Sequence, residues 1–130
     1  MQDYEEILEN LRAMAVMLPD RDEFFARAVR ILRQRVPHYN WVGIYWLKGD
    51  GNHLVLGPWD GPAPTEHTEI PVSQGICGAA VREARTIIVD DVNKDPRYLA
   101  CFLNTKSEIV VPIFKDGKII GEIDIDSDTI

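Results

Sequence analysis

The sequence has little of what most recognisable site chemistry needs. Among 130 residues there are two cysteines, Cys77 and Cys101, and three histidines, His38, His53 and His67. The histidines are scattered, with no second histidine or cysteine at a ligand interval, so the spacing predicts no metal site. Positive charge is scarce: 14 Lys and Arg against 21 Asp and Glu leave a net −7. A phosphate backbone or an anionic lipid surface calls for a basic face, so nucleic acid and membrane are not expected as partners. No apolar run approaches bilayer length, and no cationic-then-apolar leader opens the chain, which sets the expectation of a cytoplasmic protein. A reducing compartment keeps thiols free, so the two cysteines are not expected to form a permanent staple. Repeats and low-complexity linkers are missing as well. The only glycine cluster, Gly75 and Gly78, lacks both the phosphate-loop lysine and the GxGxxG spacing of nucleotide sites.

What is present reads as one domain over residues 1–130, with one hydrophobic core. From Asp3 to Met17, Tyr4, Ile7, Leu8, Leu11, Met14 and Leu18 recur at helical spacing, and Pro19-Asp20 breaks the pattern. A second helix is predicted from Asp22, with Phe24, Phe25, Ala28, Val29, Leu32 and Val36 as its stripe and Pro37 as its end. The period then becomes two. Trp41 to Leu47 reads as a strand with Trp41, Gly43 and Tyr45 on one face and Val42, Ile44 and Trp46 on the other. Turn residues at Gly49-Asp50-Gly51-Asn52 return His53 to Trp59 as a hairpin. Glu69 to Val72 is a short edge strand, Ser73 an N-cap for a helix through Val81, and Thr86 to Val89 a further strand. Pro96 to Cys101 suggests one helical turn. The closing hairpin runs from Ile109 to Phe114, through Lys115-Asp116-Gly117, and from Lys118 to Asp126. Hairpin-joined strands with interspersed helices give an α+β class, an antiparallel sheet with helices packed on its faces.

Three groups of residues are candidates for chemistry. Cys77 falls near a helix N-terminus, where free N–H groups and the dipole favour the thiolate; a small residue packed under a sheet fits the segment equally well. Cys101 lies in a long connection, where chemistry is often carried. A bond between the two thiols would need Cα atoms within about 7 Å, which the chain between them permits without requiring. Glu108 opens one strand of the last hairpin, while Asp124 and Asp126 alternate on the other, so the three share a face; Glu122 has the same parity nearer the turn. Such carboxylates either face solvent or, on a strand crowded by Ile119, Ile120, Ile123 and Ile125, form an anionic site for an ammonium group. Trp41 and Tyr45, with Gly43 making room between them, are either core aromatics or the wall of a small pocket.

Several segments taken in order resemble the GAF domain family, and within it the free methionine-(R)-sulfoxide reductases. They are Asn40-Trp41-Val42-Gly43-Ile44-Tyr45, Leu54-Val55-Leu56-Gly57-Pro58, Ile70-Pro71-Val72, Gly75-Ile76-Cys77-Gly78, Asp91-Val92, Ala100-Cys101, Ser107-Glu108-Ile109-Val110-Val111-Pro112 and Asp124-Ile125-Asp126-Ser127. The resemblance implies about six antiparallel strands between helical layers, and a homodimer. It further implies that Cys101 attacks the sulfoxide sulfur and that Cys77 resolves the sulfenic acid as a disulfide reduced by thioredoxin. By the same resemblance Glu108, Asp124 and Asp126 hold the substrate, Trp41 and Tyr45 wall its methyl-sulfinyl group, and no metal, flavin or nucleotide cofactor takes part. The chain departs from that pattern at His67-Thr68-Glu69, where the family carries a further cysteine, and at Phe102-Leu103-Asn104-Thr105, where it carries a small polar run. It also stops at Ile130, where such domains continue into a closing helix, which leaves the first helix open to a partner. The resemblance admits two other functions, a non-catalytic small-molecule or redox sensor and a dimerisation module built on that helix.

Overall fold

The computed structural model describes residues 4–17, 20–65, 67–97 and 105–129. Two helices come first, α1 (Tyr4–Met17) and α2 (Arg21–Arg35), followed by β1 (Trp41–Leu47), β2 (His53–Asp60) and β3 (Glu69–Pro71). Helix α3 (Gly75–Glu83) leads to β4 (Ile87–Val89), a single 3-10 turn at Val92–Lys94, β5 (Ser107–Lys115) and β6 (Lys118–Ser127). The six strands make one sheet in the order β3-β2-β1-β6-β5-β4, antiparallel throughout. The α+β class expected from the sequence is therefore what the chain forms.

Local chemistry explains the element ends. Asp20 caps α2, its Oδ1 accepting from the Glu23 N–H at 3.0 Å. Asp22 and Glu23 lie in the first turn of α2 and Arg33 and Arg35 in the last, each sign where the helix dipole favours it. Asp116 and Gly117 both take positive φ, 53° and 78°, which makes the two-residue turn between β5 and β6. For α3 the cap differs from expectation: Gln74, not Ser73, holds that position, and no side chain satisfies the first N–H groups. The predicted turn over Pro96 to Cys101 lies largely outside the described residues. The 3-10 turn just before it was not foreseen; Asp91 caps it, accepting from the Asn93 N–H at 3.1 Å.

The sheet separates two buried clusters where the sequence suggested one core. On one side α2 lies against β1 and β2, with α1 against α2. Val29, Val42, Ile44 and Ile125 form that cluster, flanked by Phe25, Leu32, Trp46, Ile109 and Ile123. Phe25 meets the Trp46 ring edge-on at 5.1 Å. On the other side α3 covers β3 to β6, closing Trp41, Tyr45, Leu54, Ile70, Ile76, Cys77, Ala80, Ile87, Val89, Val92 and Val110 into a second cluster. Tyr4, Leu8 and Val16 of α1 remain exposed. Among the described residues, no helix is long and apolar enough to cross a membrane.

Candidate active site

The strand register assembles the site before any side chain is considered. Asp126 of β6 pairs with Trp41 of β1 on one flank and Glu108 of β5 on the other, and Glu108 pairs in turn with Val89 of β4. On the next rung of the same face Asp124 lies between Gly43 and Val110, and on the rung after it Glu122 lies between Tyr45 and Pro112. One face of three central strands thus carries four carboxyl groups, and this is the face that α3 covers. None faces solvent: Glu108 is 6% exposed, Glu122 0%, Asp124 1% and Asp126 3%.

Helix α3 lowers Cys77, itself buried, onto this acidic patch. Its close approach depends on Gly78, where a Cβ would run into the Val72 carbonyl oxygen. The Cys77 Sγ and carboxylate oxygens of Glu108 and Asp124 all lie within 4.8 Å of one another.

Burial dominates the electrostatics. It pushes the carboxyls of Glu122 and Asp126 well above the ordinary range, with the neighbouring Asp124 charge adding to both. Asp124 is raised too, again chiefly by burial, against hydrogen bonding from Glu108 and Cys77 that pulls the other way. Among the described residues no ion pair reaches Glu122, Asp124 or Asp126. Both Glu122 oxygens, Asp124 Oδ1 and Asp126 Oδ1 are buried without a hydrogen-bond partner. The Cys77 thiol approaches Glu122 closely enough to temper the rise of its carboxyl, yet falls short of a formed hydrogen bond. A buried polar group left unsatisfied costs on the order of 1–3 kcal/mol even when neutral, and more when charged. Several in one place mark a surface arranged for something other than stability.

The thiolate expected at Cys77 from its place in α3 is not what the surroundings favour. Burial raises the thiol well above its ordinary value, and the charges of Asp124, Glu122 and Glu108 raise it further. A helix N-terminus stabilises an anion by about 0.3–1 kcal/mol at an exposed site. Desolvation and three neighbouring carboxylates outweigh it, so Cys77 rests as a neutral thiol.

The aromatic candidates take different places. Trp41 is buried with its indole lying over Gly43 and Gly61, where a Cβ at either position would collide with the ring, and it stacks on Trp59 at 6.1 Å. The room that Gly43 makes is filled by Trp41 itself, which corrects the expectation of space between Trp41 and Tyr45. Tyr45 is fully buried, and its hydroxyl donates to the His67 carbonyl at 2.7 Å, tying the segment before β3 to the site face. Cys101 falls outside the described residues. Two contributors escaped the sequence reading. Glu122 was visible only as a residue of matching parity. Asn40 was quoted for resemblance alone, yet its N–H donates to the Asp126 carbonyl at 2.9 Å and its Oδ1 accepts from the Asp128 N–H at 2.7 Å. Arg33 Nε holds the Asn40 carbonyl at 2.9 Å. The signal that could have found Asn40 is its position immediately before β1.

A six-stranded antiparallel sheet with helices on both faces, and a row of buried carboxyls beneath one of them, defines the class as an α+β domain. The chain belongs to the GAF domain family, which it matches over residues 20–129. It is 40% identical over 127 residues to protein YtsP of Bacillus subtilis, covering 97% of this chain and 76% of that one. It is 47% identical over 89 residues to the free methionine-R-sulfoxide reductase of Saccharomyces cerevisiae, covering 67% of this chain and 48% of that one. The X-ray structure of free methionine-R-sulfoxide reductase from Neisseria meningitidis in complex with its substrate superimposes with a TM-score of 0.90 at 35% identity, covering 98% of this chain and 74% of that one.

Proposed function

We propose that this chain reduces free methionine-(R)-sulfoxide to methionine, with Cys101 as nucleophile and Cys77 as the resolving thiol. The observation that carries the reading is a buried carboxyl floor beside a thiol, in which Glu122, Asp124 and Asp126 meet no ion pair among the described residues, in a chain so similar to reductases of that name. An amino-acid ammonium would complement the oxygens of Glu122, Asp124 and Asp126 that meet no hydrogen-bond partner among the described residues. Glu108, Asp124 and Asp126 hold it, and a carboxyl that burial raises keeps its proton to higher pH than an ordinary one, which suits it to serve as the acid for the sulfoxide oxygen. Trp41 and Tyr45 close the apolar side around the methyl-sulfinyl group.

The sulfur chemistry balances without a metal, flavin or nucleotide. The Cys101 thiolate attacks the sulfoxide sulfur and forms an S–S bond while the raised carboxyl protonates the sulfoxide oxygen. The oxygen then passes to the Cys101 sulfur as the S–O and S–S bonds break, so methionine leaves reduced by two electrons and Cys101 is left as the sulfenic acid. The Cys77 thiol then attacks the Cys101 sulfur, a disulfide forms, and the sulfenic oxygen departs with the thiol proton as water. Thioredoxin returns both thiols in a cytoplasmic setting. A thiol that rests neutral suits the resolving role, since it does not compete with Cys101 for the sulfoxide. Homodimerisation belongs to the same reading.

The test is thioredoxin-coupled turnover of free methionine sulfoxide resolved into its epimers. Consumption of the R epimer is expected. Cys101→Ser should release no methionine, and Cys77→Ser should release one equivalent and stop. If the unaltered protein releases none, the chain is a non-catalytic binding or sensing domain.

A further inference from the structure

The same acidic floor offers a second chemistry, because a sulfur and two carboxylate oxygens from three different elements already converge. Cys77 comes from α3, Glu108 from β5 and Asp124 from β6. Their Sγ and two carboxylate oxygens lie within 4.8 Å of one another, and all three residues are buried. A tetrahedral zinc site with bonds of roughly 2.0–2.3 Å needs ligand atoms about 3.3–3.8 Å apart. Closing the difference takes about 1 Å of movement shared among three side chains on three elements, within rotamer adjustment and without backbone change.

A cluster of acids alone would mean little. Here Asp124 Oδ1 is buried in that cluster with no hydrogen-bond partner, and Asp126 Oδ1 and both Glu122 oxygens nearby are in the same condition. No ion pair among the described residues neutralises Asp124, Asp126 or Glu122. A cation is the missing complement, and the donor set selects which one. Magnesium and calcium take oxygen ligands and reject sulfur, whereas one thiolate with two carboxylates suits a borderline ion such as zinc.

We propose that Cys77, Glu108 and Asp124 form a binding site for a thiophilic divalent cation of the zinc class, and that its occupancy excludes the ammonium of an amino-acid ligand from the same carboxylates. Binding releases the Cys77 proton into solvent and leaves a metal thiolate, so the ion also withdraws the resolving thiol. Asp126 and Glu122 border the three ligands and either complete the coordination or hydrogen-bond the ligating oxygens. The metal site itself stands on the geometry; only its competition with methionine sulfoxide rests on the proposed function.

Cobalt(II) is the probe, since its thiolate complexes absorb in the near ultraviolet through sulfur-to-metal charge transfer. Reduced full-length protein titrated with cobalt should develop that band, and zinc should bleach it. Cys101→Ser should keep the band and Cys77→Ser should lose it. Asp124→Asn, which retains size and the neutral character that burial already favours, should weaken cobalt binding about tenfold or more while the thermal transition remains intact. Free methionine sulfoxide should raise the apparent cobalt dissociation constant in proportion to its concentration. The site is overturned if the band never appears at millimolar cobalt, if it survives Cys77→Ser, or if Asp124→Asn leaves the affinity unchanged. The readout needs no turnover. A chain that binds cobalt through Cys77 but reduces no sulfoxide keeps the metal site and rejects the reductase reading; the opposite pair of results rejects the metal site alone.

Discussion

The two faces of β6 are made by alternate residues of one strand and have opposite characters. Ile123 and Ile125 pack with Val29, Val42 and Ile44 under α2, in a cluster whose members are all apolar. Glu122, Asp124 and Asp126 point the other way, under α3, and four of their oxygen atoms have no hydrogen-bond partner among the described residues. Ile125 is buried like the carboxyls and Ile123 is half-buried, so the polar residues are not the shallower ones. What distinguishes the two faces is whether burial is compensated. The α2 face gains roughly 1.5–3 kcal/mol for each large apolar side chain it encloses. The α3 face desolvates carboxyl groups and, among the described residues, leaves both Glu122 oxygens and one oxygen each of Asp124 and Asp126 unsatisfied. A period of two lets the chain place fold-making residues and those proposed to hold the ligand one position apart, and the first supply the stability that burying the second consumes.

That contrast is broken most sharply by exchanging what each face loses. Asp124→Asn should lower kcat/KM for free methionine sulfoxide by about 100-fold, because truncating one partner of a buried charge pair costs roughly 2–5 kcal/mol. The same substitution should leave the unliganded protein as stable as before, or more stable, since it removes a charge that burial opposes. Ile44→Ala should do the reverse. Denaturant unfolding should show a loss of about 3 kcal/mol from the cavity under α2, with kcat/KM per folded molecule nearly unchanged. If Asp124→Asn destabilises as much as Ile44→Ala, the α3 face is an ordinary core.

Much of the α2 face was legible in the sequence, because its signals are local. The spacing of Phe25, Val29 and Leu32, the alternation along Trp41–Leu47, and the Asp116-Gly117 turn each act within a few residues. The shared face of Glu108, Asp124 and Asp126 was equally readable from parity. Whether that face met solvent or a helix was not, since it depends on where α3 lands after an intervening loop and edge strand. The choice between a thiolate and a packed neutral thiol at Cys77 stays open in the sequence for the same reason. Position in a helix is a local fact, whereas Glu108 of β5 and Glu122 and Asp124 of β6 reach the thiol only through the tertiary fold. Glu122, buried as completely as any residue in the chain, looked like a solvated neighbour of a turn until Tyr45 and Pro112 were paired beside it.

The pH dependence of stability sharpens the comparison by a smaller amount. Glu122, Asp124 and Asp126 have folded values above their unfolded ones. The folded chain therefore binds these protons more tightly, and their contribution to stability is fully present only below the unfolded carboxyl range. It falls as pH rises from about 4 through the raised folded values, by about 1.4 kcal/mol for each unit of displacement in each group. Chemical denaturation from pH 4 to 8 without ligand should thus show declining stability. Glu122→Gln together with Asp126→Asn should flatten the decline, and saturating methionine sulfoxide should do likewise by supplying the ammonium. A curve that rises across this window would place the carboxyls with ordinary, solvated values.

The smallest effect belongs to a residue that serves both faces. Asn40 receives Arg33 from the α2 side through its carbonyl, and holds the end of β6 on the α3 side through its N–H and its side chain. Asn40→Ala keeps the two backbone bonds and removes only the one from Oδ1 to the Asp128 N–H. That group lies at an exposed position, where water replaces the lost acceptor, so the cost should be about 1 kcal/mol or less. Asp128 is two residues beyond Asp126, and loosening it lets the carboxyl at the end of the acidic row wander. The expected signature is a rise of a few-fold in KM with kcat nearly constant, since substrate holding is weakened and the thiols are untouched. An equal fall in kcat with KM unchanged would instead put Asn40 to work in the reacting complex, and the division between a face that folds the chain and a face that holds the ligand would no longer pass through this residue.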